Sequence, residues 1–212
     1  MLKKVCVAAL AGMVGAVSAA TATVLPFNSF GTGGLAAYGD RVTSPLQAST
    51  TYSEGFGWTP NIELNFVTLN TAGPVSIWSS GYASLVNALG HGAFNVPFRL
   101  DFVADPGWFV TLHTFDIATW LNGTYQTELR IWDDNGSFAA PNLFSFSGVL
   151  SPSIVYQPLT SAVTGVGTLS LYVSNIGSTG LDNVSFSQSP IPEPAMASVL
   201  VPAAMLLRRR GR

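Results

Sequence analysis

Tyr125-Gln126-Thr127-Glu128-Leu129-Arg130-Ile131-Trp132, followed by Asp133-Asp134-Asn135-Gly136, decides the fold class. Tyr125, Thr127, Leu129 and Ile131 fall on one face of an extended chain, and Trp132 alternates away from Ile131. Successive side chains of a strand point to opposite faces, so a two-residue period marks a strand with one face turned to a core. The acidic cluster that ends in Asn-Gly is turn chemistry, and it predicts a hairpin with the strand-like run that follows.

The same period recurs on either side. Ile62, Leu64 and Phe66 share a face, as do Phe98, Leu100 and Phe102, and again Leu169, Leu171 and Val173. Each run has strand length, and turn signals separate them: Ala72-Gly73-Pro74, Asp105-Pro106-Gly107, Leu121-Asn122-Gly123 and Asn175-Ile176-Gly177. Only residues 82–89, between Gly81 and Gly90, suggest a short helix. Residues 25–60 are rich in Gly, Ser and Thr and read as strands joined by long loops, and no internal repeat is visible. About eight to ten short antiparallel strands in one domain predict an all-β, two-sheet antiparallel β-sandwich of jelly-roll type.

The two ends read differently. Residues 1–19 have the order of a secretory signal peptide: Lys3 and Lys4, an apolar stretch over 5–17, then Val17-Ser18-Ala19, with Ala20-Thr21-Ala22 as a second cleavage candidate. Removal of this leader takes away Cys6, the only cysteine, and leaves a chain with no disulfide or thiolate metal site. At the other end, Pro192-Glu193-Pro194 precedes an uncharged stretch over 195–207 and then Arg208-Arg209-Arg210-Gly211-Arg212. Thirteen helical residues reach about 20 Å against a hydrocarbon core of about 30 Å. Pro202 interrupts the stretch as well. The segment reads as a short hydrophobic helix, poor as a permanent span, with its arginines held on the cytoplasmic side.

This segment resembles the PEP-CTERM sorting signal of Gram-negative bacteria: Pro192, Glu193 and Pro194 match the motif, and Arg208, Arg209 and Arg210 match its basic cluster. The apolar stretch is shorter than is usual in that family. The resemblance implies processing near the motif by an exosortase, and delivery to the cell envelope or extracellular matrix, often beside exopolysaccharide. The domain organisation expected is a leader over 1–19, a β-sandwich over 20–189 and a sorting signal over 190–212.

Between the ends, residues 20–189 hold three arginines, no lysine and ten carboxylates, a net charge of −7. Such a domain cannot neutralise a phosphate backbone, which excludes nucleic acid as a partner. Two short stretches resemble galactose-binding-like domains. The run from Trp108 through Phe115-Asp116 to Trp120 is similar to a core strand leading into a Phe-Asp turn. Gly180-Leu181-Asp182-Asn183-Val184-Ser185-Phe186 is similar to the closing strand. The resemblance implies a structural calcium at Asp182, with Asp40 as partner from the N-terminal side.

Candidate chemistry is sparse. Asp133-Asp134-Asn135-Gly136 has the look of part of a calcium loop, but it lacks the spaced acids and distant glutamate of an EF-hand and reads better as a turn. Sugar binding needs exposed rings to stack on pyranose faces. Trp78 and Tyr82, around a Gly-Ser loop, are the leading candidates, and Trp132, beside the acidic turn, is a third. Trp108 and Trp120 read as partly core. His91 and His113 share no zinc spacing, and no Gly-x-Ser-x-Gly elbow exists. His113, within an apolar strand, reads as a satisfied structural histidine. Glu54, Glu63 and Glu128 could in principle form a glycosidase pair. Three functions remain open: a non-enzymatic structural or adhesive surface protein, a carbohydrate-binding module with extracellular polysaccharide as partner, and a secreted glycan hydrolase or lyase.

Overall fold

The computed structural model describes residues 22–27, 59–70, 73, 75–121, 123–133 and 141–192. The leader, Asp40, Glu54, Glu193, Pro194 and Arg208 to Arg210 lie outside the described residues.

The described residues form twelve strands: β1 (Thr23–Leu25), β2 (Ile62–Thr68), β3 (Ser76–Trp78), β4 (Ala88–Gly90), β5 (Phe98–Ala104), β6 (Trp108–Thr119), β7 (Tyr125–Asp133), β8 (Asn142–Leu150), β9 (Val155–Tyr156), β10 (Val163–Gly165), β11 (Thr168–Val173) and β12 (Thr179–Pro190). They make two antiparallel sheets. The seven-stranded sheet runs β10-β6-β12-β4-β3, with β1 also on β12 and β9 also on β6. The five-stranded sheet runs β2-β5-β11-β7-β8. Among the described residues there is no helix, and so none long and apolar enough to cross a membrane.

The alternation explains the core. The apolar members of β2, β5, β7 and β11 point one way and are buried: Ile62, Leu64, Phe66, Phe98, Leu100, Phe102, Leu129, Ile131, Leu169, Leu171 and Val173. They meet Val110, Leu112, Phe115, Ile117, Leu181, Val184 and Phe186 from β6 and β12 in a single apolar cluster. Phe102 and Phe186 touch across the two sheets with ring centroids 5.0 Å apart. Burying a side chain of this size contributes roughly 1.5–3 kcal/mol, so the twenty-five residues of this cluster dominate folding.

The hairpin expected after Ile131 forms: β7 and β8 pair from Tyr125↔Leu150 to Trp132↔Asn142. The connection is longer than the four-residue turn signal, since β8 begins only at Asn142. The chain crosses between the sheets at Asn175. Its side-chain amide donates to the Gln126 carbonyl at 2.9 Å, and its own carbonyl accepts the amides of Ser178 and Thr179 at 2.8 and 3.0 Å. Gly177 is required at this turn, because a Cβ there would lie 1.7 Å from the Ala93 carbonyl oxygen.

Two local expectations fail. Residues 82–89 are not helical: Tyr82 forms bridges to Leu85 and Trp120, and Ala88–Gly90 is β4. Ala83 and Asn87 sit at φ 49° and 63°, which stops a helix within this stretch. Nor is there a turn at Phe115-Asp116. β6 runs through both residues to Thr119, and two register shifts against β12, at Asp182/Ser185 and Ser185/Phe186, take up the irregularity.

Candidate functional site

Three short elements bring Trp78 and Tyr82 together, as the Gly-Ser loop between them suggests. Trp78 ends β3, Trp120 follows β6, and Tyr82 bridges to Trp120. Tyr82 lies on the outer face of the seven-stranded sheet, where glycines leave room for it. A Cβ on Gly180 would lie 2.6 Å from its ring, and one on Gly90 would lie 2.5 Å from its hydroxyl. Gly81 holds φ +106°, and a Cβ there would meet the Trp120 ring at 2.0 Å.

Burial raises the Tyr82 hydroxyl far above the ordinary tyrosine range, against the opposing effect of the His91 backbone hydrogen bond, so it stays protonated. The hydroxyl donates weakly to the Gly177 carbonyl at 3.4 Å. The Ala93 amide donates to His91 Nδ1 at 2.9 Å.

Together with Gly92, Phe94 and Gly177, these side chains line a partly open pocket of about 60 Å³. At about 30 Å³ per water this accepts two waters, or one substituent of a larger ligand, and not a whole pyranose ring. The rings are not coplanar: Trp78 and Tyr82 meet Trp120 at 72° and 59°, with centroids 5.2 and 4.9 Å apart. Tyr82 is only 1 % exposed and offers no face for stacking. Trp78 is half-buried, and its indole Nε1–H is enclosed with no acceptor. An enclosed donor without a partner costs roughly 1–3 kcal/mol, and a ligand oxygen could relieve this. Phe94 and the neighbouring Leu121 are exposed at 56 and 67 %. Trp120, His91 and Phe94 are the site members that sequence periodicity missed. The stretch that carries them is irregular and has no alternation to read.

Trp132 is not a surface ring. It is 1 % exposed, with its ring centroid 6.4 Å from that of Tyr172. Alternation does turn it away from the main apolar cluster, but that row is itself closed. Asp101, Ser170 and Trp132 are successive registered neighbours on β5, β11 and β7, all at most 2 % exposed. The Ser170 hydroxyl donates to Asp101 at 2.7 Å, and Arg99 Nε donates to it at 2.9 Å.

Asp182 faces Asp116 as its registered partner across β12 and β6, beneath the bulge where Asn183 takes φ 48°. The Asn183 backbone amide donates to Asp182 at 2.7 Å. The side-chain amides of Gln157 and Asn183 each donate to Asp116 at 2.8 Å. Burial, reinforced by the Asp116 charge and opposed by the Asn183 amide, pushes Asp182 up to about 7. Calcium takes six to eight oxygen ligands. The described residues supply two carboxylates here, and none of them form a group of three or more metal-ligating side chains. By themselves they do not fit the ion.

The remaining candidates are structural. Asp133 accepts the amides of Val166 and Gly167 at 2.7 and 3.1 Å, tying the turn between β10 and β11, while residues 134–136 lie outside the described residues. His113 shares a hydrogen bond of 2.8 Å with Ser187, and burial lowers its pKa, so the ring is neutral. Glu63 and Glu128 stand on β2 and β7, three strand spacings apart in the sheet. The spacing across the strands alone is about 14 Å, and the registers also place Glu63 level with Thr168 and Glu128 level with Ser174, so the two stand well beyond the 5–9.5 Å span of glycosidase pairs.

No family model matches the chain, and no curated protein matches it. Two solved structures are similar to it in part. One, described as "CBM4 structure and function", is 11% identical and covers 62% of this chain and 89% of its own length, with a TM-score of 0.32. The other is the enzymatically active domain of tailspike protein 4 of bacteriophage CBA120. It is 15% identical and covers 61% of this chain and 19% of its own length, with a TM-score of 0.30.

Proposed function

We propose that this chain is an exported cell-envelope protein: a jelly-roll-type sandwich delivered through the leader at 1–19 and processed by an exosortase at the signal over 190–212. Its role is non-enzymatic, structural or adhesive, in an extracellular polysaccharide matrix. Before processing, the stretch over 195–207 lies in the inner membrane with Arg208, Arg209 and Arg210 on the cytoplasmic side.

The observation that carries this reading is the junction between sandwich and motif. β12 lies between β6 and β4 and runs to Pro190. The Ile191 amide then donates to the Gly107 carbonyl at 2.8 Å, and Pro192 follows at once. Cutting the chain anywhere after Pro192 leaves every described strand whole. A signal that is read and removed needs such a junction.

Replacing Arg208, Arg209 and Arg210 together by alanine tests it. The expected result is loss of processing and a shift of the protein out of its wild-type envelope fraction. An unchanged distribution would overturn the proposal.

The enclosed, partnerless Nε1–H of Trp78 favours a second reading, glycan binding at the aromatic pocket. Trp78→Phe keeps a ring and removes the donor, so polysaccharide retention should fall; unaltered retention would count against it. A structural calcium held by Asp182 and Asp40 belongs to the same proposal: calcium should stabilise the wild type at pH 8 and not Asp182→Asn.

A further inference from the structure

β8 has the sequence Asn142-Leu143-Phe144-Ser145-Phe146-Ser147-Gly148-Val149-Leu150 and forms one edge of the five-stranded sheet. Among the described residues it pairs with β7 alone. Its nine residues alternate between exposed and half-buried almost to the end. Exposed edge strands carry unpaired amides and carbonyls, and natural proteins usually blunt them with charge, proline or short length. β8 has none of these devices. It lies within a run of 47 residues, 135–181, that contains no charged side chain. The opposite edge of the same sheet, β2, carries Glu63. The end strands of the other sheet's main path, β3 and β10, are three residues long.

We propose that β8 is a homodimerisation edge, paired antiparallel with β8 of a second copy about a two-fold axis through Phe146. Residues facing each other across a two-fold perpendicular to the sheet must share a sheet face, so the sum of their numbers is even. Full overlap of the nine residues then fixes one register. In it, Leu143 faces Val149 of the second copy, Ser145 faces Ser147, Phe144 faces Gly148, and Phe146 faces Phe146.

Leu143 and Val149 are the exposed large apolar side chains of this strand, at 49 and 56 %, and this register covers each with the other. The serines match, no charge opposes another, and the Phe146 ring already folds over Gly148 of its own chain. A second copy is therefore the occupant that the strand's own sequence complements. Because β2 carries a charge, the pairing closes at two copies and does not propagate into a filament.

The pairing is about 30 Å long and about 10 Å deep, close to 300 Å² per copy. That lies below the 1,200–2,000 Å² total of a stable complex, so the dimer is weak and concentration-dependent. The inference does not depend on the tail or on any glycan.

The test uses the full chain in detergent, with micelles in excess over protein, and Cys6→Ala as background. Sedimentation should show a monomer at about 1 µM and a substantial dimer fraction near 100 µM, the range implied by so small an interface. Ser145→Cys mixed with Ser147→Cys should give a heterodimeric disulfide well above either homodimeric one. Facing Cα atoms in an antiparallel pair lie about 4.5–5.5 Å apart, within disulfide range. The double variant Ser145→Lys, Ser147→Lys sets lysine against lysine and should remain monomeric throughout, with unchanged circular dichroism. A wild type that stays monomeric at 100 µM would overturn the proposal. So would disulfides formed without preference for 145–147, or a folded lysine variant that still dimerises.

Discussion

Asp182→Asn should stabilise this protein at neutral pH and do nothing in acid. Asp182 is 3 % exposed, and its pKa is pushed up from 3.8 to about 7, chiefly by burial and further by the Asp116 charge. The folded chain therefore holds a proton that the unfolded chain has already released between about pH 4 and pH 7. Across that window the folded state binds more protons, so stability falls as pH rises. At about 1.4 kcal/mol per pH unit, three units set a ceiling of about 4 kcal/mol, a large part of the 5–15 kcal/mol typical of a domain. Asparagine is neutral at every pH and can still accept the Asn183 amide, and its own amide can donate to Asp116. The variant should gain about 2–4 kcal/mol at pH 8 and nothing at pH 4. Urea unfolding followed by tryptophan fluorescence, in chelator at pH 4, 6 and 8, measures this directly. A wild-type stability that is flat from pH 4 to 8, or a variant destabilised at pH 8, would show that Asp182 is not held protonated by burial. Adding calcium at pH 8 tests the metal proposal separately: an ion bound through Asp182 must stabilise the wild type and not Asp182→Asn.

Gly180→Ala forces a methyl into the Tyr82 ring at 2.6–2.8 Å, and overpacking of this kind costs about 1–3 kcal/mol, visible as a lower urea midpoint with the pocket disordered. Trp132→Ala empties a closed row of the sheet and should cost about 3–5 kcal/mol while leaving polysaccharide retention unchanged; a fall in retention without loss of stability would restore Trp132 as a surface ring. Asp133→Ala removes the acceptor for the Val166 and Gly167 amides, so it should cost about 1–3 kcal/mol and raise hydrogen exchange at those two amides.

Long alternating runs made much of the fold legible. β2, β5, β7 and β11 each bury one face as their sequences require, since a strand with one side in a core leaves a two-residue period. The two- and three-residue strands β1, β3, β4, β9 and β10 were not legible, because no period can show in so few residues. The bulged pairing of β6 with β12 was hidden for another reason: a register shift changes which face each residue occupies without changing the composition. The site was half legible. Trp78 and Tyr82 do meet, but sequence alone could not show that two glycines, Gly90 and Gly180, let Tyr82 sink onto the sheet and out of reach. At Trp132, alternation away from the core does not bring exposure. In this sheet the outward row through Asp101 and Ser170 is closed as well.

The intact mass of the protein from hosts with and without an exosortase decides whether the tail is a sorting signal. Loss of the residues after the Pro192-Glu193-Pro194 region, with release from the inner membrane, is expected only where the enzyme is present. An identical, full-length C-terminus from both hosts would contradict this.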